Sequence, residues 1–154
     1  MDSTKSSQLV TQIREVILTD FARTMETPES TLGKFILIAV GVEFLGGCLD
    51  RQHMNATGRS EKRFNTAIRE LFPKKYHHFT LQQSIPNLFV DFRCPVIHQF
   101  KTGKSLILCS LEDTDKKNHL KYQSGGSMIL VAEEFYKDVA RAAEEMIRRI
   151  EDKK

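Results

Sequence analysis

Apolar positions recur every three to four residues along most of this chain, the spacing that gathers them on one face of an α-helix. Leu9, Ile13, Val16, Ile17 and Phe21 predict a first amphipathic helix over residues 7–26. Thr27-Pro28 closes it, because proline disfavours a helical residue before it. A second helix is predicted from Glu29 to about Arg51. Its centre, residues 35–45, is apolar on every side, as expected for a helix in the middle of a bundle. A buried strand is the rival reading of that β-branched run, and its length favours helix. Gly41, Gly46 and Gly47 lower helix propensity there and point to close packing of a neighbouring helix.

Residues 53–59 read as a loop. Ser60 is the expected N-cap of a third helix carrying Phe64, Ala67, Ile68, Leu71 and Phe72, with Pro73 as its stop. After a polar, aromatic connector, a fourth helix is predicted from near Ser84, with Pro86 in its first turn. Leu88, Phe89, Phe92, Val96 and Ile97 form its apolar side, and Pro95 is expected to kink it. Residues 105–111 and 127–131 read as two short strands joined as a β-hairpin, with a turn at Ser124-Gly125-Gly126. The last segment, 132–152, is the clearest helix. Phe135, Val139, Ala142, Ala143, Met146, Ile147 and Ile150 form one stripe, and Glu144–Arg148 and Glu145–Arg149 pair at i,i+4 on the other face. The expected fold is mainly α, a bundle of four or five helices with one small β-hairpin before the C-terminal helix. It forms a single domain over residues 1–154, with residues 1–6 and 153–154 as flexible tails.

Composition narrows the class. Hydrophobic residues make up 40% of the chain and charged residues 28%, which excludes general disorder. No basic-then-apolar leader opens the sequence. The run 35–45 is too short for a bilayer span, so no membrane association is expected. Cys48, Cys94 and Cys109 are odd in number and widely spaced, as reduced thiols in a cytoplasmic protein would be. His77 and His78 are adjacent, a poor arrangement for two ligands of one metal, so neither a metal site nor a cofactor is expected.

The charge distribution is uneven. Residues 1–50 carry 4 basic and 7 acidic side chains, residues 51–104 carry 10 and 3, and residues 105–154 carry 9 and 10. A basic middle third between acidic flanks suggests a surface that meets a polyanion. Solvated charge that neutralises the other elements would look the same. Arg59, Lys62 and Arg63 cluster at the start of the third helix, and Lys74, Lys75, Tyr76, His77 and His78 lie just after it. Charge and stacking in these clusters make them candidates for gripping single-stranded RNA.

Within the basic third lies Arg93-Cys94-Pro95-Val96-Ile97-His98. An Arg, four to six residues and a His near the end of a helix resembles the motif of HEPN domains. The long apolar helix earlier and the amphipathic helix at the end agree with that resemblance, which spans roughly residues 30–152. Cys94 and Pro95 depart from the pattern of active members. The resemblance implies a metal-independent endoribonuclease that cleaves single-stranded RNA with Arg93 and His98 as catalytic residues. It also implies a homodimer, a regulatory protein partner and a setting in toxin–antitoxin systems or antiviral defence. A histidine can handle the 2′-OH proton, and an arginine fork binds phosphate through two hydrogen bonds. On a straight helix, however, residues five apart lie about 140° apart around the axis. A kink or a second chain would be needed to bring the pair together. Glu43 and Asp91 are candidate supports for Arg93. The alternative is a catalytically inactive helical module that binds RNA, a nucleotide or a protein. In that reading Arg93 merely caps Asp91 or Glu43, and His98 is a polar residue at a helix end.

Overall fold

The computed structural model describes residues 3–28, 30–50 and 52–152. The protein is mainly helical. The first helix runs unbroken through α1 (Ser3–Gln12), a π-helical stretch (Ile13–Asp20) and α2 (Phe21–Glu26). Of the expected tails, residues 3–6 are helical, while 1–2 and 153–154 lie outside the described residues. After it come α3 (Thr31–Leu49), α4 (Ser60–Leu71), a 3₁₀ stretch (Lys74–Thr80), a π-helical stretch (Leu88–Arg93) that continues into α5 (Cys94–Gln99), and α6 (Ala132–Glu151). The predicted ends of the second helix, Glu29 and Arg51, also lie outside the described residues.

The apolar run becomes α3, and its interfaces with α4 and α6 are the largest it makes. Phe35, Ile38, Val42 and Leu45 are fully buried. They meet Phe64 and Ile68 of α4, Phe92, and the α6 stripe, all part of one contiguous core. Phe92 sits at its centre, with ring centroids 5.7 Å from Phe35 and 5.6 Å from Phe135. By length and composition all 19 residues of α3 could cross a bilayer, although the run 35–45 alone could not, and half of the helix's apolar window is buried inside the bundle. Its two charges are paired within the fold: Lys34 with Glu133 at 2.6 Å, and Glu43 with Arg93.

Three local expectations are corrected. The strands do not form a hairpin. β1 (Leu106–Cys109) and β2 (Met128–Val131) pair in parallel, Leu106 opposite Met128 and Cys109 opposite Val131. Residues 110–127 form the crossover. The antiparallel turn is a smaller one inside it: Leu120 and Lys121 exchange bonds with Ile129, and Gln123 N–H and O bond Ser127 O and Gly126 N–H. Ser124-Gly125-Gly126 is the turn there, with Gly126 at φ 83°. The N-cap of α4 is Arg59 rather than Ser60, whose hydroxyl is used elsewhere. The fourth helix begins at Leu88 rather than Ser84. Asn87 caps it, its Oδ1 accepting from the Phe89 and Val90 amides, and Asp91 returns a bond to the Asn87 amide at 2.7 Å.

Pro95 sits in the first turn of α5, just after the π-helical stretch, rather than in the interior of one long α-helix. Having no N–H, it leaves the carbonyl four residues back without its helical partner. That carbonyl, of Asp91, accepts instead from the Gly103 amide at 2.8 Å. A Cβ on Gly103 would stand 2.9 Å from Asp91 Oδ1, so glycine permits the approach.

Candidate functional site

Arg93 is the last residue of the π-helical stretch, and the amide after it, of Cys94, bonds Phe89 O five residues back. The backbone between positions 93 and 98 is α-helical, so the length of the arginine side chain, not the wide turn before it, spans the angle that separates them. Arg93 Nη1 lies 3.1 Å from His98 Nε2. A guanidinium has no acceptor, so Nη1–H donates and His98 Nε2 accepts, which places the proton of a neutral ring on Nδ1. Arg93 Nε donates to Glu43 Oε2 at 2.7 Å, and Nη2 reaches Ser60 Oγ at 3.5 Å. The guanidinium also lies over the Phe89 ring, 5.5 Å from its centroid. Four contacts from α3, α4 and its own helix thus orient Arg93, whose side chain is 13% exposed. His98 is exposed. Of the two candidate supports, Glu43 serves Arg93, whereas Asp91 serves the helix cap.

Arg93 and Glu43 open onto a cleft of about 290 Å³, shared with Val40, Phe44, Met54 and Arg63. Arg63 also lines a neighbouring cleft of about 300 Å³ with Asp50, Arg59 and Lys62. The structure therefore gathers Arg93, His98, Glu43 and, beside them, Arg59 and Lys62.

Three of the proposed RNA-binding side chains, Arg63, Tyr76 and Lys75, are instead engaged by the fold. Arg63 is 6% exposed. It donates to Asp50 at 3.2 Å, to Met54 O at 2.7 Å and to His53 O at 2.8 Å, fastening the loop before α4. Tyr76 is fully buried and stacks on Phe135 at 5.2 Å, so it offers no face to a base. Lys75 is bound to Asp138 at 2.6 Å, and His77 Nε2–H donates to Phe72 O at 2.9 Å. Arg59 sits 3.7 Å from Asp50. Lys62, Lys74 and His78 are exposed, and among the described residues neither lysine forms an ion pair.

Tyr76 belongs to a buried network that local sequence gave no sign of, because its members are far apart in the chain. Val131 N–H donates to His119 Nδ1 at 3.0 Å, so Nε2 carries the proton of the neutral ring and faces Tyr76 Oη at 2.7 Å. The tyrosine hydroxyl donates onward to Asp138 at 2.8 Å. Burial, and then the Asp138 charge, push the Tyr76 hydroxyl well above its usual range, so it remains a donor. Burial, and then the Lys75 charge, lower His119 from 6.5 to about 4. The sign follows. Between these values the unfolded chain binds a proton that the folded chain refuses, so stability is complete above pH 6.5 and falls as the pH drops toward 4. The full loss is about 3 kcal/mol at 1.36 kcal/mol per pKa unit. We expect urea midpoints to decline between pH 6.5 and 4.5 in the native protein, and to decline less in His119→Gln. Equal slopes for the two would remove His119 as the cause.

Burial pushes the Cys48 thiol up to about 12, and burial and then the Asp113 charge raise that of Cys109. Comparison of the chain with protein-family models, with curated proteins and with solved structures returned no match. The functional reading thus stands on the chain's own residues.

Proposed function

We propose that this protein is a metal-independent endoribonuclease of HEPN-like build, acting on single-stranded RNA through Arg93 and His98. The observation that carries the reading is the 3.1 Å approach of Arg93 Nη1 to His98 Nε2, with Arg93 lining a cleft and Glu43, in the same lining, fixing the guanidinium. An entering phosphate competes for Nη1. When it takes that bond, the His98 Nε2 lone pair is released at the place where the nucleophile arrives. The imidazole then accepts the 2′-OH proton as the 2′-oxygen attacks phosphorus. The bond from phosphorus to the 5′-oxygen breaks, leaving a 2′,3′-cyclic phosphate and a 5′-hydroxyl that has gained a proton. Arg93 holds the pentavalent phosphorane throughout, because its charge does not titrate. One imidazole cannot at once take the first proton and give the second, so a second copy of the chain supplies the proton donor. Exposed Val40 and Val90 offer apolar contact near the site for such a homodimer. DNA, which lacks the 2′-OH, is spared. The test is purified protein with end-labelled RNA in EDTA, the cyclic phosphate being the product expected. Absence of cleavage across several RNAs defeats the reading.

One observation favours the runner-up, an RNA-binding module without cleavage. Glu43 already neutralises Arg93, and Arg59 and Lys62 offer binding charge beside it. For either reading the cations left to bind RNA are Arg59, Lys62 and Lys74, since Arg63 serves the fold. Replacing all three with alanine should weaken RNA binding and lower the slope of log affinity against log salt by about 2, at roughly 0.7 per phosphate contact on a single strand. The measurement is a salt titration by fluorescence anisotropy. An unchanged slope would move the strand to another face.

A further inference from the structure

Phe100 follows His98 by two residues and is 68% exposed. It ends α5 in the left-handed conformation, at φ 53° and ψ 36°, and its own amide and that of Lys101 both turn back to Pro95 O. That position in a helix terminus suits glycine, because a Cβ crowds the backbone there, and a bulky residue in it is an outlier. Among the described residues, the two other non-glycine residues with positive φ have evident duties: Ser30 caps α3 through its hydroxyl, and Leu120 pairs with Ile129. Phe100 has none of this kind, since its ring is given to solvent rather than to the core. His98, Gln99, Phe100 and Lys101 are four consecutive exposed residues, with exposed Lys104 beyond them. Among the described residues neither lysine forms an ion pair.

We propose that Phe100 is a nucleobase-stacking platform, binding an unpaired base of the strand whose phosphate lies at Arg93 and His98. This rests on the nuclease reading and deepens it. An exposed ring flanked by free cations is the arrangement that holds single strands without regard to sequence, the ring taking the base and the lysines the backbone. The strain of a left-handed phenylalanine and the exposure of its ring are both accounted for by a ligand. Neither is accounted for by packing. The platform also explains a preference for single strands, because a base held in a duplex has no free face to offer.

The experiment measures anisotropy with a labelled 2′-O-methyl oligouridylate, which lacks the attacking hydroxyl and is read without cleavage, and with a strand of equal length carrying abasic sites. Phe100→Ala is expected to weaken the base-bearing strand by about 5- to 100-fold, the range of one base–aromatic stack, and to leave the abasic strand unchanged. Phe100→Trp should retain binding. Phe100→Gly should lose binding while melting no lower than the native protein, since glycine relieves the backbone. Equal affinity of native protein and Phe100→Ala for the base-bearing strand overturns the platform. So does an equal loss on the abasic strand. A shift of Phe100→Ala from dimer to monomer by light scattering would assign the ring to a contact between copies instead. If the native protein binds and cleaves RNA but Phe100→Ala matches it, the platform alone fails. If the native protein binds neither strand, the nuclease reading fails with it.

Discussion

His98→Ala protein is expected to cleave labelled single-stranded RNA in EDTA about 10² to 10⁴ times more slowly than the native protein, the usual worth of a positioned general acid or base. The fold should not change, because His98 is exposed and, among the described residues, its ring bonds only Arg93. Arg93→Lys should be nearly as damaging, for a reason visible in the contacts. The guanidinium spreads its nitrogens over Glu43, Ser60 and His98 at once. A lysine is a point charge and can satisfy one of these in place of the fork. Arg93→Lys should thus lose rate even where RNA affinity is largely kept. Glu43 remains to draw the lysine back from the phosphate. A mixture of His98→Ala and Arg93→Ala chains adds a second readout. Because Arg93 and His98 of one chain act on the same phosphate, no mixed dimer holds an intact pair, and activity should not return. Equal cleavage by native and His98→Ala protein would place any activity in another site.

The helical part of the fold was legible because burial of a helix is written locally. Phe135, Val139, Ala142, Ala143, Met146, Ile147 and Ile150 repeat with the helical period, and all are buried in α6. The central position of α3 follows equally from its lack of a polar face. The direction of the strands was not legible. A run such as residues 106–109 shows that it is a strand, but parallel or antiparallel pairing depends on how residues 110–127 cross over. The same limit governs the site. Counting charge along the basic third finds Arg63, Lys75 and Tyr76 as readily as Lys62 and Lys74. It cannot see that Asp50 and Asp138 have already claimed the first three, because Asp138 is 62 residues from Tyr76. For Arg93 two acids were open as partners, Asp91 nearby and Glu43 on a distant helix. The nearer one is taken by the Asn87 amide, and the distant one faces the guanidinium. The π-helical stretch that ends at Arg93 has no period to read.

Among the described glycines, Gly46 is where an added methyl should be most damaging. A Cβ at Gly46 would stand 1.9 Å from the carbonyl oxygen of Arg63, 2.4 Å from its carbonyl carbon and 2.9 Å from its Cα. All three atoms are backbone in α4, so no rotamer change relieves the contact, and α4 must move away from α3 by more than an ångström. That movement opens the largest interface α3 makes. It also pulls Arg63 from Asp50 and from the carbonyls of His53 and Met54, leaving a buried cation without its partners. Overpacking alone costs typically 1–3 kcal/mol, and the stranded arginine adds to it. We expect a loss of at least about 3 kcal/mol, a large part of the 5–15 kcal/mol by which a domain is stable. Gly41→Ala is the control. Its Cβ would meet the edge of the Phe21 ring at 3.0 Å. A side chain can turn aside, and alanine returns roughly 1 kcal/mol of helix propensity, so the net change should be small. Urea titrations of both variants decide the matter, and a Gly46→Ala midpoint close to the native one would contradict the close approach of the two helices. A partly folded Gly46→Ala protein should also lose RNA cleavage without any change to Arg93 or His98. Arg93 is gripped by Glu43 from α3 and by Ser60 from α4, so its aim at the imidazole depends on the spacing that a glycine without a side chain allows.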